Sequence, residues 1–285
     1  MDETRREMRL LLLGGTGNVG KHVLQALVDR AELSTKVFVS TRRPEAFCRE
    51  EWCLKASKAV VEPVQCNLSC PKSVASTLTS VAPNLVFLCL PQSLAPKDME
   101  AVSNAAVDAA IKSGAHRLVR IASLGIAGHD DGGPGQGALG DAHVSSEEYC
   151  HAAGLPLTSV RPTSFHTNFL NYDVETICKE NCFRSPLGTS ARVNWVHCKD
   201  IGRVAAVLLL REETPTRGNE VIEVTGPPES TLSAPAMASL LSEELGRQIH
   251  YEQVAPPQVA EYSQLWRFLQ AGGFDCSTGL IGFGW

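Results

Sequence analysis

The sequence predicts an α/β fold, a doubly wound parallel sheet with a small C-terminal α/β lobe that would carry the substrate side. Three observations predict it. Short apolar runs alternate with amphipathic stretches up to Pro162, a glycine-rich turn joins the first run to the first stretch, and beyond Pro162 the alternation loses its regularity.

The elements follow in order. Residues 9–13 (RLLLL) read as a buried strand. Residues 18–29 have helical periodicity, with Val19, Val23, Leu24, Leu27 and Val28 on one face. Residues 36–40 (KVFVS) are a second strand, and 59–65 a third, in which Pro63 points to an irregular or edge position. A short helix over 73–81 leads to a fourth strand, 84–90 (NLVFLCL), apolar throughout as a strand covered on both faces should be. A long alanine-rich helix spans 98–113, with Gly114 at its C-terminal cap, before a fifth strand at 117–123. Residues 125–140 (GIAGHDDGGPGQGALG) break the rhythm. They read as a loop after the fifth strand, either a lid over ligand at the sheet's carboxyl edge or a surface insertion. A helix over 143–153, ended by Gly154, precedes a sixth strand at 157–161. Further on, 194–197 is extended, Asp200 caps a helix over 201–211, and 220–225 is a seventh strand. A helix over 233–244, a short strand over 248–253 and a helical stretch over 256–269 complete the pattern. The expected division is a dinucleotide-binding core over 1–165, with 190–225 returning to it, and a smaller substrate-binding lobe from 166–189 and 226–285.

Composition narrows the function classes. With 26 basic and 31 acidic residues the formal charge is −5, which argues against a surface that coats nucleic acid. No apolar run approaches the roughly 20 residues that span a bilayer, so no membrane partner is expected. The charged start, 1–9, and the short apolar run after it lack the form of a secretory signal, so a cytoplasmic location is expected. Ten cysteines, from Cys48 and Cys53 onward, form no CxxC pair, which reads as reduced thiols with several in the core. No metal is expected; His143, Glu147 and His151 share a helix face but make a poor tetrahedral set.

The chemistry sits first in LGGTGNVG at residues 13–20. Gly14, Gly17 and Gly20, directly after a strand and opening a helix, have the spacing and context of a Rossmann-type pyrophosphate turn. Gly14 permits the tight turn, Gly17 lets backbone approach the pyrophosphate, and Gly20 lets the helix pack close. With Thr16, Asn18 and Val19 between them, they present free N–H groups at the positive end of a helix. The second strand runs into Thr41-Arg42-Arg43-Pro44 with no carboxylate before Glu45. Two guanidiniums there suit a ribose 2′-phosphate, so NADP(H) is favoured over NAD(H). By position, Asn67 after the third strand would lie near the adenine. Leu90 and Pro91 after the fourth strand and Ser123 after the fifth would line the nicotinamide end.

These residues resemble the NmrA-like group of atypical short-chain dehydrogenases. The likeness covers most of the chain through GGTGNVG at 14–20, STRRP at 40–44, IASL at 121–124, His143-x-x-x-Glu147, TSVRPTSFHTNFL at 158–170, NWVHCKDIGRVAA at 194–206 and IEVTGP at 222–227. RPTSFHTNFL is similar to a segment shared by quinone-reductase-like members, redox-sensing members and ergot-alkaloid dehydrogenases. By that likeness Pro162 borders the nicotinamide, and Phe165, His166, Asn168 and Phe169 face the substrate. Ser123 matches the position of the orthodox family's catalytic serine.

One departure bears on catalysis. Orthodox members use Tyr-x-x-x-Lys as a proton relay, but Tyr149 is followed four places later by Ala153. His143 stands near where the relay would be, as a proton donor, a substrate ligand or a plain helix-face histidine. The resemblance therefore implies an NADP(H)-dependent oxidoreductase that passes a hydride to a small electrophile of quinone, imine or carbonyl type. The alternative is a non-catalytic redox sensor that binds NADP(H) and acts through a protein partner. The glycine-rich, aromatic stretch 279–285 departs from the further helix usual in the family.

Overall fold

A computed structural model describes residues 8–30, 35–47, 60–125, 136–212, 219–256 and 260–276. Cys48, Cys53, the centre of the 125–140 loop and the 279–285 stretch lie outside them. The chain divides into unit 1 (Met1–Ala122, Ser145–Val160 and Cys198–Ile222) and unit 2 (Ser123–Val144, Arg161–His197 and Glu223–Trp285).

Unit 1 is built on a sheet whose strands are β1 (Met8–Leu13), β2 (Thr35–Thr41), β3 (Val60–Gln65), β4 (Leu85–Leu88), β5 (Arg117–Ile121), β6 (Leu157–Pro162) and, placed here by its position in the sheet, a later strand at Asn219–Val224. Their order is Asn219–Val224, β6, β5, β4, β1, β2, β3. The pairings of β1 with β2 and β4, β2 with β3, β4 with β5 and β5 with β6 are all parallel. The strand order reverses between β1 and β4, the switch point at whose carboxyl side ligands bind in such sheets. Leu10 to Leu13 are fully buried, as expected of a strand covered on both faces. Pro63 sits on β3 at the end of the strand order, where a missing N–H costs no ladder bond on the open side.

The helices of this unit are α1 (Gly20–Arg30), α2 (Pro71–Val81), α3 (Pro96–Lys112), α4 (Ala138–Ala153), which begins in unit 2, and a helix at Cys198–Leu210. Gly114, at φ +81°, follows α3, and Gly154, at φ +77°, follows α4, each in the left-handed conformation that ends a helix. Two of the boundaries that differ from expectation involve residues singled out in the sequence. The α4 helix opens at Ala138, five residues early, so that 138–140 are helix rather than loop. The helix expected to be capped by Asp200 begins at Cys198, which puts Asp200 in its first turn, beside Arg203 at 3.5 Å. A buried arginine closes that helix: Arg117 donates to the carbonyls of Leu208, Leu209 and Arg211 at 3.0, 3.1 and 2.7 Å.

Unit 2 holds short strands, of which the sequence pattern assigned only the last. They are β7 (Ser164–Phe165), β8 (Cys182–Ser185), β9 (Arg192–Val196), which the pattern marked only as extended, then, counting Asn219–Val224 as β10, β11 (Thr231–Ser233) and β12 (His250–Gln253), the strand expected over 248–253. One sheet runs β11–β9–β7 and another pairs β12 with β8 in parallel. Phe169–Asp173 is a π-helical turn leading into α5 (Val174–Glu180). With Cys198–Leu210 as α6, the later helices are α7 (Ala234–Leu245), capped by Ser233 and ended by Gly246, and α8 (Ala260–Gln270). Its core gathers Ile177, Phe183, Val193, Trp195, Met237 and Phe268. The eight described cysteines are free thiols, four of them buried. No helix among the described residues is long and apolar enough to cross a membrane.

Candidate functional site

In unit 1 the turn between β1 and α1 is pinned from three sides. Gly14, at φ +93°, donates its N–H to the buried Ser40 Oγ at 2.9 Å, which ties the turn to the end of β2. A Cβ on Gly14 would lie 2.2 Å from the Cys89 carbonyl oxygen, and one on Gly20 2.0 Å from the Gly14 carbonyl oxygen. Gly17 differs: its Cβ would meet only the Gly14 oxygen, at 3.3 Å, and Thr16, Gly17 and Asn18 are exposed. The cradle is therefore open where a pyrophosphate would approach. Lys21 N–H bonds to Gly17 and those of His22 and Val23 to the Val19 carbonyl, so the amides left for an anion are those of Asn18, Val19 and Gly20. The Val19 side chain is buried in the core, so that residue could serve a ligand only through its backbone.

Past β2, Thr41 Oγ1 accepts from Arg43 N–H at 3.2 Å, and Pro44–Ala46 form a 3-10 turn. Arg42 and Arg43 are exposed, and among the described residues neither guanidinium meets a carboxylate. Asn67 follows β3 with its Oδ1 accepting from Ser69 N–H at 3.0 Å, an Asx turn that occupies its side-chain oxygen. Leu90 and Pro91 follow β4; Leu90 leans on the core, and the Pro91 carbonyl accepts from Leu94 N–H.

In unit 2, Ser123 follows β5, and its Oγ accepts from the Nε2 of the wholly buried Gln136 at 2.8 Å. The same Nε2 donates to the Leu124 carbonyl, which fixes the amide's orientation because a carbonyl only accepts. An acceptor role toward Gln136 leaves the Ser123 proton free to donate elsewhere. Gly125 and Gly137, at φ +67° and +65°, lie close against Phe268 and Gln264 of α8. The Pro162 carbonyl accepts from Leu124 N–H at 3.0 Å. Phe165 pairs with Val196 on β9, His166 N–H bonds to the Val196 carbonyl, and the His166 ring stands 6.1 Å from that of His197. Asn168 enters the π-helical turn, and the Phe169 ring lies 4.6 Å from Trp195 and 5.5 Å from Phe183.

The helix-face set His143, Glu147 and His151 is divided by burial. His143 is buried, Glu147 is buried and accepts from Ser159 Oγ on β6, and His151 is exposed. Eight residues turn a helix through about 80°, enough to carry the third member off the packed face. Among the described residues no group of three metal-ligating side chains forms. Tyr149 donates its hydroxyl to Asp108 on α3 at 2.8 Å, a bond that raises the phenol above its ordinary range. It points at a carboxylate rather than at a lysine, the reverse of the arrangement that makes an orthodox proton donor. Tyr149→Phe is accordingly expected to leave any NADPH-dependent turnover within about twofold, measured by NADPH absorbance.

Sequence reading missed the roles of Ser40 and Gln136. Ser40 stood one residue from the TRRP segment, and Gln136 was the lone amide in a glycine run.

The model of the NmrA-like family matches residues 6–265. The prestalk A differentiation protein A of Dictyostelium discoideum is 28% identical over 115 residues, 40% of this chain and 36% of that relative's length. Three solved structures superpose over most of the chain. A nucleoside-diphosphate-sugar epimerase of Staphylococcus aureus has a TM-score of 0.71 at 20% identity, covering 94% of this chain and 92% of that one. The NADPH-dependent quinone oxidoreductase of Escherichia coli, in complex with NADPH, gives 0.70 at 18%, covering 94% and 92%. The triphenylmethane reductase of Citrobacter sp., in complex with NADP(H), gives 0.69 at 15%, covering 96% and 93%. At these identities the likeness is one of fold.

Proposed function

This chain belongs to the NmrA-like family, and from that premise we propose that it is an NADP(H)-dependent oxidoreductase acting on a small electrophile of quinone, imine or carbonyl type, without a Tyr-x-x-x-Lys relay. The observation that carries the reading is the pair of exposed guanidiniums of Arg42 and Arg43 at the end of β2, which meet no carboxylate among the described residues, in the same unit as an open glycine cradle. Carboxylates commonly take the ribose 2′-hydroxyl at that place, and guanidiniums take a 2′-phosphate. Two structural neighbours described with NADPH or NADP(H) are reductases, which favours the same cofactor and reaction type.

The assigned roles follow from chemistry. The Asn18, Val19 and Gly20 amides bind the pyrophosphate, with Gly14, Thr16 and Gly17 shaping the turn, and Arg42 and Arg43 bind the extra phosphate. Asn67 flanks the adenine, and Leu90 and Pro91 give the nicotinamide an apolar wall. When bound, the reduced nicotinamide supplies the hydride. Ser123 donates its proton to the substrate's oxygen and His143 is a second donor. Pro162 borders the nicotinamide, and Phe165, His166, Asn168 and Phe169 orient the electrophile and exclude water.

The double variant Arg42→Ala/Arg43→Ala is expected to weaken NADPH by about 100-fold while NADH changes by less than about threefold, followed by nucleotide fluorescence. Equal losses for both nucleotides would remove the cofactor assignment. A panel of quinones, iminium salts, aldehydes and enones, watched through NADPH absorbance, tests the chemistry. A second reading, an NADP(H)-binding redox sensor acting through a protein partner, is favoured by the Tyr149–Asp108 bond, which leaves no relay at that helix. Tight NADPH binding with no turnover across the panel would select it.

A further inference from the structure

Gln136 is wholly buried just ahead of α4, where the Gly137 carbonyl accepts from Asp141 N–H at 2.8 Å and ties this stretch to the first turn of the helix. Its Nε2 makes two bonds, to Ser123 Oγ at 2.8 Å and to the Leu124 carbonyl, while among the described residues its Oε1 meets no donor. A buried amide oxygen without a donor is a penalty that a leucine in the same space would avoid. What the glutamine supplies in exchange is confined to Nε2, whose two protons go to adjacent residues, Ser123 and Leu124.

The polarity of these bonds matters. The Leu124 carbonyl takes one proton of Nε2, which leaves the other for Ser123 Oγ. The serine is thereby held as an acceptor toward the glutamine, and among the described residues its own proton meets no acceptor. Serine hydroxyls bond readily to nearby backbone. Without Nε2, the Leu124 carbonyl would lose its donor and compete for the serine's proton.

We propose that Gln136 is a positioning residue whose amide holds the Ser123 hydroxyl as a donor toward a substrate oxygen. This rests on the reductase reading for its chemistry. As the hydride forms a C–H bond at a carbonyl carbon, the C=O π pair moves onto oxygen. The Ser123 proton passes to that oxygen, and a proton from solvent restores the serine. The products are an alcohol and NADP⁺. A serine that had spent its proton on a backbone carbonyl could not take this part, so Gln136 acts on the reaction through Ser123 alone.

The test uses the full chain as wild type, Ser123→Ala, Gln136→Leu and the double variant, each shown to be folded by near-ultraviolet circular dichroism. One readout is kcat for NADPH oxidation with 9,10-phenanthrenequinone or 4-nitrobenzaldehyde, whichever turns over faster. The other needs no turnover. It is the infrared carbonyl band of 1-indanone mixed with the protein and NADP⁺, which moves to lower frequency when its oxygen accepts a hydrogen bond. Ser123→Ala and Gln136→Leu are each expected to lower kcat by about tenfold or more with KM for NADPH within about twofold, and the double variant to fall no further than Ser123→Ala. The downshifted band is expected in the wild type alone. A wild type without the downshift, a folded Gln136→Leu that keeps it or keeps its kcat, or losses that add in the double variant overturns the proposal. If the band behaves as expected and neither electrophile is reduced, the reductase reading falls and the polarity set by Gln136 stands.

Discussion

Gly20→Ala is expected to melt well below the wild type and to lose NADPH affinity by more than about 100-fold. The added methyl would be placed 2.0 Å from the Gly14 carbonyl oxygen and 2.7 Å from both the Gly14 carbonyl carbon and the Gly15 Cα. All three are backbone, and the turn they belong to is held by the Gly14–Ser40 bond and by Gly17 N–H to the Gly14 carbonyl at 3.0 Å. No rotamer can relieve the overlap, so α1 must move away from β1. That opens the Val19, Val23 and Leu24 contacts of the core and costs about 3 kcal/mol. It also carries the Asn18, Val19 and Gly20 amides away from where an anion would sit. Gly17→Ala separates the two effects. Its methyl would meet one oxygen at 3.3 Å and is expected to leave the melting temperature nearly unchanged, while standing in the path of the pyrophosphate and weakening NADPH. Thermal melts and NADPH fluorescence on both variants decide it. A Gly17→Ala protein that binds NADPH as the wild type does would place the nucleotide elsewhere.

What could be read from the sequence depended on how local each feature is. β1, β2 and β4 show as apolar runs because both faces are covered, so the runs survive whatever the register. The glycine turn and Arg42-Arg43 are contiguous and were legible for the same reason. In unit 2 the strands are two to five residues long, and β8 finds its partner β12 nearly seventy residues away, with His250 opposite Cys182. Such pairings leave no periodic trace. The π-helical turn misleads outright, since Leu170 and Tyr172 are large and apolar yet exposed. Burial adds what spacing could not show at Glu147, whose carboxylate accepts from Ser159 on β6. Gln136 and Ser123 are thirteen residues apart across a glycine run, a distance at which no spacing rule operates.

The same non-local logic singles out Asn194 as the position in unit 2 whose loss should cost most. It is fully buried, and its amide is saturated. Oδ1 accepts from Thr163 Oγ1 at 2.9 Å and from Gly226 N–H at 2.8 Å; Nδ2 donates to Thr231 Oγ1 at 3.0 Å and to the Gly226 and Pro227 carbonyls at 3.2 Å. Three stretches of chain, at Thr163, at Gly226–Pro227 and on β11, are thus joined through one side chain on β9. Thr163 immediately precedes Ser164–Phe165, so the bond also sets where the segment running to Phe169 begins. Asn194→Ala would strand the buried Gly226 N–H, the Thr163 and Thr231 hydroxyls and two carbonyls, at a cost of about 3–5 kcal/mol. Asn194→Asp should fare little better: it keeps both acceptors but replaces the donor with a buried charge facing two carbonyl oxygens. Limited proteolysis resolves the outcome by unit. Cleavage of Asn194→Ala is expected to appear first within 161–197 and 223–276, with NADPH binding by the glycine turn outlasting it as the temperature rises. Simultaneous loss of both signals would show that the two units unfold as one and that the network at Asn194 supports the cofactor sheet as well.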